Sequence, residues 1–563
     1  MMSMSPLASP IVFIAPGEPA PASATAEAIG AKAYGLLRLA RLGLPVPPSF
    51  TLGTALCRDY FANGGLPPSR LRDMLAEGVA RLEAATGCRL GAVRRPLLVS
   101  VRSGAPVSMP GMMDTILNVG LCEASARGLL RMTGNPRLVR DCYRRLIRDF
   151  GEVVHGAAPD GFDALVAHHC AAHGLADTRE LDTAALDDIV RRSLELTLGL
   201  TGEPFPADPM DQLETAVEAV FRSWHSARAR AYRRLKGIDD GLGTAVTVQA
   251  MVFGNGGITS GAGVGFTRDP ATGDDKLYLD FLFDAQGDDV VSGRRPLQGD
   301  TDELPKRLPG VAAELARLKA TLEDEFCDMQ DFEFTVDDGR LYLLQVRTGK
   351  RTAWAALKIA VDMVREGRIA PAEALARLAD LPLDRLERRR LARPSDAPPL
   401  ACAVPAGSGV ASGGIAFDPA GVAALAAQGR SAILVRPDIS TADVEGIAGA
   451  EGVLTAVGGR TAHAAVVARN LDKVCIVGCT ALTVEPDERR CRISGVPLVE
   501  GDELTLDGDS GCVYGGRLAV IAERPDRELA EIAAWRTAAG APGEAGPGAP
   551  GSAAERHPAL ATD

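Results

Sequence analysis

The sequence predicts a multidomain protein of mixed α/β and α+β class, and three observations carry that prediction. At 563 residues the chain is long enough for about three or four structural units of roughly 100 to 200 residues each. From about residue 10 to 350 short β-like runs alternate with helical stretches, as they do in an α/β or α+β body. A charged, Pro-rich stretch at 381–400, L-P-L-D-R-L-E-R-R-R-L-A-R-P-S-D-A-P-P-L, then separates that body from a second region of short strands, glycine turns and helices over 401–522.

Composition narrows the function classes. Apolar residues make up 46% and aromatics 4% of the chain, enough for real cores and suited to helices and Gly-rich loops more than to a β-sandwich. The net charge of −12 supplies no basic footprint, which argues against nucleic acid as a partner. The eleven cysteines are scattered, odd in number and without a C-x-x-C pair, which argues against a disulfide framework and for a reducing compartment. No apolar run of about 18 residues is present, so no membrane span is expected. The opening M-M-S-M-S-P-L-A-S-P lacks a basic segment followed by an apolar one, so no signal peptide is expected. A soluble, cytoplasmic protein is the resulting expectation.

Taken in order, the elements follow from local pattern. Lys32 opens a helix whose apolar face includes Leu36, Leu37 and Leu39. P-L-L-V-S-V-R at 96–102 reads as a buried strand ending on Arg102, and residues 121–235 read as a helical insert lying beside the sheet. V-T-V-Q-A-M-V-F at 246–253 and D-F-E-F-T-V at 331–336 return the chain to the sheet. A helix from about Thr352 to Glu366 follows, with Thr352 as N-cap and Gly367 as its stop. In the second region A-I-L-V-R-P at 432–437 and E-L-T-L-D-G at 503–508 read as strands. After about residue 538 the composition, A-P-G-E-A-G-P-G-A-P-G-S-A-A, cannot pack a core and predicts disorder.

Several constellations carry chemistry. In G-G-R-T-A-H-A-A-V-V-A-R at 458–469, His463 stands at the mouth of a predicted helix. Unpaired N–H donors and the positive end of the dipole there favour a bound anion and a neutral, nucleophilic imidazole. The plain alternative is Thr461 as N-cap with His463 an ordinary exposed residue. D-F-E-F-T-V-D-D-G-R-L-Y-L-L-Q-V-R at 331–347 reads as a hairpin with Asp331 and Glu333 on one strand face and Gln345 and Arg347 on one face of the next. A two-residue Asp338-Gly339 loop would send Gln345 away from Glu333, whereas a three-residue loop or a bulge would unite the four. If they form one site, an odd-length turn is expected, and the site suits a Mg-nucleotide: carboxylates for metal, an amide for hydrogen bonding, a guanidinium for phosphate. A solvated strand face is the alternative.

S-V-R-S-G-A-P-V-S-M-P-G-M-M-D-T at 100–115 offers Arg102 for phosphate and small residues for close backbone approach. G-N-G-G-I-T-S-G-A-G-V-G-F-T-R-D-P at 254–270 is a Gly-rich hairpin able to cover a phosphate chain, although it is neither a Walker A nor a G-x-G-x-x-G fingerprint. Lys32 also fits an exposed helix lysine. H-H-C-A-A-H at 168–173 has the residues of a metal site without the H-E-x-x-H spacing, and a partly exposed helix face explains it better.

Together these stretches, with A-Q-G-D-D-V-V-S-G at 285–293, resemble the pyruvate, phosphate dikinase family, in the family's order from about residue 10 to 522. The resemblance implies an ATP-grasp-like nucleotide-binding region over 10–350 with the helical insert, a helical linker over 351–400, and a swivelling β/α phosphohistidine domain over 401–522. It implies a kinase in which Lys32, Arg102, Asp331, Glu333, Gln345 and Arg347 bind and activate Mg-ATP, with Asp331 and Glu333 on Mg²⁺ and Arg347 also catalytic. His463 would take a pyrophosphoryl group from ATP, give its terminal phosphoryl to phosphate, and pass the other to pyruvate. Thr461 aligns with a regulated threonine of the family.

Three departures qualify the resemblance. The lysine motif, usually G-G-K-G, is here Gly30-Ala31-Lys32-Ala33. Ala462 stands where serine is common. The sequence stops near where the family's C-terminal (β/α)₈ barrel would begin, so delivery to pyruvate is expected to need a barrel supplied separately; homo-oligomer formation is a further expectation. The alternatives are a non-catalytic ATP-binding or regulatory remnant, a phosphohistidine enzyme with another acceptor, or a fragment of a longer product. The segment at 381–400 and the chain after 515 are the expected hinges.

Overall fold

A computed structural model describes residues 11–107, 109, 112–175, 178–292, 298–392, 397–439, 443–460 and 463–540. The chain divides into two compact units, one running to Gly261 and including Glu333–Arg347, the other comprising Ala262–Phe332 and the chain from Thr348.

In the first unit, five strands form a sheet in the order Ile11–Ile14, Ser49–Leu52, Ala245–Ala250, Val99–Gly104, Thr115–Val119. Every pairing is antiparallel. The central strand Ala245–Ala250 is buried at every position, so both sheet faces are covered and strict alternation of polar and apolar residues is lost. Helices alone occupy Glu123 to Lys236 among the described residues. The longest, Pro136–His155, is started by Asn135, whose side chain accepts from the Leu138 N–H, and by Pro136 in its first turn. Its Cys142, Leu146 and Ile147 join Phe50, Val99 and Val101 in one core, so the insert is an integral layer against the sheet.

The hairpin strands Gln330–Asp337 and Arg340–Thr348 lie outside this sheet. The expected return of 331–336 to the sheet of 246–250 is therefore corrected. The turn between them has two residues, Asp338 and Gly339, at φ 47° and 75°, the left-handed pair that a two-residue hairpin requires. The odd-length turn is thus also corrected.

The second unit begins one residue into the strand Gly261–Phe266, followed by the strand Tyr278–Phe283 and the helix Pro309–Phe326. Arg268, fully buried, donates twice to the fully buried Glu323 and once to Glu366. Burial works against its charge, but the two carboxylates outweigh it and hold the guanidinium firmly protonated. The helix Ala353–Arg365 starts where expected, with Thr352 Oγ1 accepting from the Ala355 N–H. Within the segment expected to link the two regions, Arg388–Leu391 forms an antiparallel ribbon with Val520–Glu523. The helix Asp526–Gly540 then buries Ile532 against Leu357, Val361 and Ala374. Of the stretch expected to be disordered, residues 538–540 end this helix and 541–563 lie outside the described residues.

Eight strands form the main sheet of the same unit, in the order Ala401–Cys402, Cys512–Gly515, Glu503–Asp507, Val410–Ala416, Ala432–Arg436, Gly452–Thr455, Val474–Val477, Val404–Gly407. Four central strands run parallel and the flanking pairs antiparallel. Alternate residues feed two cores: Ile433, Val435, Leu454 and Ile476 on one face, Leu434, Val453 and Cys475 on the other. Cys402 and Cys512 face each other across an antiparallel pair and form a disulfide, with Cα atoms 4.0 Å apart. Strand register brings together residues 110 positions apart, a single pairing that the spacing of scattered cysteines does not announce. Among the described residues no helix is long and apolar enough to cross a membrane.

Candidate functional site

The site grows from a break in one helix. Ala26–Arg41 is capped by Thr25 and interrupted at Gly30, whose φ of 80° and ψ of 153° are not helical. A Cβ at Gly30 would lie 1.9 Å from the Gly104 carbonyl oxygen, and one at Gly35 would lie 2.9 Å from the Val346 carbonyl oxygen. Only glycine lets the helix backbone come this close to the end of one strand and to the hairpin. The Ala31 N–H donates to the Ala105 carbonyl at 3.0 Å, locking the kink. Lys32 sits between these two close approaches.

Arg102 projects from Val99–Gly104 and bridges to the hairpin: one nitrogen donates to the Leu344 carbonyl at 3.0 Å, another to Glu333 Oε2 at 2.8 Å. Gln345 Nε2 donates to Glu333 Oε1 at 3.2 Å. The two-residue turn therefore does not keep Gln345 from Glu333. Burial alternates along the second strand through Leu341, Leu343 and Gln345, and Val346 beyond them is buried as well. Gln345 Oε1 is buried without a hydrogen-bond partner among the described residues.

The electrostatics follow from three cations gathered on one carboxylate. Burial would raise the Glu333 carboxyl, but Arg102, Arg347 and Lys32 outweigh it and hold the group below the usual carboxylate range. Burial, then Arg102, pushes the Lys32 ammonium down to about 8, with Glu333 opposing. One carboxylate cannot neutralise Lys32, Arg102 and Arg347, so the pocket retains positive charge and suits an anion with several charges. Arg347, at the exposed end of its strand, contributes to the field at both Lys32 and Glu333.

Asp331, two residues before Glu333 on the same strand, is buried and belongs to the second unit. Glu333 and the amide oxygen of Gln345 are hard-oxygen groups of the kind Mg²⁺ takes. Among the described residues no group of three or more His, Cys, Asp or Glu side chains is placed to hold a metal. The 168–173 cluster serves structure: His169 Nε2 meets Asp188 Oδ2 at 3.0 Å and His173 Nδ1 meets the His169 carbonyl at 2.9 Å.

His463 is the first residue of the helix His463–Asn470; the expected N-cap Thr461, like Ala462, lies outside the described residues. The Gly-rich segment divides. Gly261–Phe266 is a fully buried strand, and a Cβ at Gly265 would stand 2.3 Å from the Phe332 ring, so that glycine makes room for an aromatic core residue. Gly30 was read from the sequence only as part of the lysine motif, and Gly35 was missed, although both glycines seat Lys32. Their signal was glycine inside a helical pattern, which normally costs stability and so asks for a packing reason.

A family model described as "Pyruvate phosphate dikinase, AMP/ATP-binding domain" matches residues 66–307 and 300–368, more than half of the chain. A second, "PEP-utilising enzyme, mobile domain", matches 429–511. The chain is 41% identical over 523 residues to a pyruvate, phosphate dikinase of Rhizobium meliloti (strain 1021), covering 91% of this chain and 58% of the relative. It is 43% identical over 511 residues to the chloroplastic pyruvate, phosphate dikinase 1 of Zea mays, covering 90% and 54%. It is 40% identical over 510 residues to a pyruvate, phosphate dikinase of Clostridium symbiosum, covering 90% and 58%. The chain thus spans little more than half the length of these curated relatives.

Proposed function

The chain belongs to the pyruvate, phosphate dikinase family, and from that premise we propose that it is an ATP-dependent phosphotransferase in which Mg-ATP charges His463. In this reading residues 10–350, with the insert at 121–235, form a nucleotide-binding region of ATP-grasp type. Residues 351–400 link it to a swivelling phosphohistidine domain at 401–522. The observation that carries the reading is the pocket in which Lys32, Arg102 and Arg347 surround Glu333, with Gln345 bonded to the same carboxylate.

Lys32, Arg102 and Arg347 take the phosphate oxygens, the guanidinium of Arg347 meeting the charge that builds as the phosphoryl group transfers. Asp331 and Glu333 would hold Mg²⁺, with Gln345 Oε1 as a further oxygen. When bound, Mg²⁺ supplies neutralisation of phosphate charge and orientation of the polyphosphate. A neutral His463 imidazole attacks the β-phosphorus: the N–P bond forms as the P–O bond to AMP breaks. Inorganic phosphate then accepts the terminal phosphoryl group as pyrophosphate, leaving phosphohistidine. The first-turn N–H groups of His463–Asn470 favour an anion at that position. Pyruvate is the acceptor this reading assigns, reached through a barrel domain in a cytoplasmic setting, and Thr461 is the residue a regulatory phosphorylation would modify.

Incubation with [β-³²P]ATP, Mg²⁺ and phosphate should place an acid-labile, base-stable label on the wild type and none on His463→Ala. Equal labelling of the two would reject His463 as nucleophile. ATP binding with no label on either and no AMP release would instead favour a regulatory nucleotide-binding role.

A further inference from the structure

The His463 loop carries a second charged residue, which the chemistry above does not use. Arg460 lies three positions before His463, so the backbone can separate them by at most about 10 Å. Its guanidinium carbon lies 4.2 Å from the centre of the Tyr278 ring, and one nitrogen donates to the Leu279 carbonyl at 3.4 Å. The same nitrogen is 4.0 Å from the buried carboxylate of Asp280.

Around it runs a seam of the same character. Tyr278 Oη donates to the Pro405 carbonyl at 3.0 Å, Ser408 Oγ to the Ala271 carbonyl at 3.3 Å, and the Ala353 N–H to Asp472 Oδ1 at 3.4 Å. Arg469 lies 5.8 Å from the Phe266 ring. One side of the seam is made by 266–280 and Ala353, the other by 405–408 and 460–472, all within the second unit. Its contacts are polar, several to main-chain carbonyls, and it does not share an apolar core: the residues of the eight-stranded sheet and those of Gly261–Phe266 belong to separate clusters. A polar seam over separate cores can open without exposing either core.

We propose that Arg460 is a positioning residue that seats the His463 loop on the Tyr278–Asp280 strand for the ATP half-reaction, with the face of Tyr278 as its receptor. The proposal rests on the phosphotransfer reading above. A planar cation over an aromatic face, with one hydrogen bond to a carbonyl, fixes the loop in orientation as well as distance. The closing and opening of this seam would accompany the visit of His463 to the nucleotide and its departure.

The test compares Arg460→Met, Arg460→Lys, Tyr278→Ala and the double variant Arg460→Met/Tyr278→Ala in the full chain. Rapid-quench labelling with [β-³²P]ATP should show Arg460→Met slowed by about tenfold, with KM for ATP and the thermal midpoint unchanged. Arg460→Lys should recover part of the rate, and the double variant should be no slower than the slower single one. Labelling of Arg460→Met at the wild-type rate, or effects that multiply in the double variant, would overturn the proposal. Hydrogen–deuterium exchange provides an arm independent of catalysis. The amides of Tyr278–Phe283 should lose protection in Arg460→Met, and unchanged protection there would overturn the proposal even if the wild type proved unable to label. A wild type that does not label, but whose 278–283 protection depends on Arg460, would sink the phosphotransfer reading and leave the seating contact standing.

Discussion

Replacing Gly30 with alanine tests whether the kink in the Lys32 helix is what seats the lysine. The new Cβ would stand 1.9 Å from the Gly104 carbonyl oxygen, where real contacts stop near 3.0 Å, so helix and strand end must part by about 1 Å. A backbone at φ 80°, ψ 153° lies where essentially only glycine goes and costs another residue about 1–3 kcal/mol. Loss of the Ala31 to Ala105 hydrogen bond adds about 1 kcal/mol, and relief of the clash adds about 1–3 kcal/mol. The expected destabilisation is about 3–7 kcal/mol. Gly43, at φ 71° with no atom within 4 Å of a built Cβ, has a positive φ without the clash, so Gly43→Ala should lose only about 1–2 kcal/mol. Urea unfolding measures both. Because a misplacement of about 1 Å can cost about 10²-fold in a positioned reaction, Gly30→Ala should also label with [β-³²P]ATP about a hundredfold more slowly, and Gly43→Ala at the wild-type rate. The reasoning fails if the two variants unfold alike and label alike.

Three other outcomes follow from particular contacts. With Lys32 near 8 and an unfolded lysine near about 10.4, the unfolded chain holds the extra proton between those values. This group therefore adds stability as pH rises through that window, whereas phosphate binding needs the ammonium and runs the other way. Nucleotide affinity should fall above about pH 8. Calorimetry in two buffers should find proton uptake on binding at that pH, and Lys32→Met should abolish it. Arg268→Met would leave the buried Glu323 with only the longer ion pairs to Lys319 and Arg368 and should cost about 3–5 kcal/mol in urea unfolding; a loss under about 0.5 kcal/mol would show the pair to be dispensable. Cys402→Ser, or dithiothreitol, opens a 110-residue loop and should destabilise the domain containing it by up to about 4–5 kcal/mol. Scanning calorimetry that finds the same midpoint with and without reductant would show that the bridge contributes nothing in solution.

Local elements were legible because their causes are local. Thr352 begins its helix through its own hydroxyl, three residues from the N–H it accepts, and V-T-V-Q-A reads as a strand because β-branched residues cluster there. The residue types of the candidate site, Lys32, Arg102, Glu333, Gln345 and Arg347, were equally visible as chemistry. Their assembly was less so. Turn length alone predicted that Gln345 would point away from Glu333, yet its long amide side chain reaches the carboxylate. The glycines at 261–266 looked like a phosphate cover because a Gly-rich run reads the same whether its backbone faces a ligand or an aromatic ring.

The sequence by itself determined which groups this protein brings to its chemistry, the periodicity of its helices and strands, and the family to which it belongs. Tertiary structure decided what each face meets: Gly30 against Gly104, Cys402 against Cys512, Arg460 over Tyr278, and Arg388–Leu391 beside Val520–Glu523. Periodicity reports that a face is buried without naming its partner. These partners are separated by about 70 to 180 residues of chain, and their meeting depends on the register and packing of whole elements, which no local window contains.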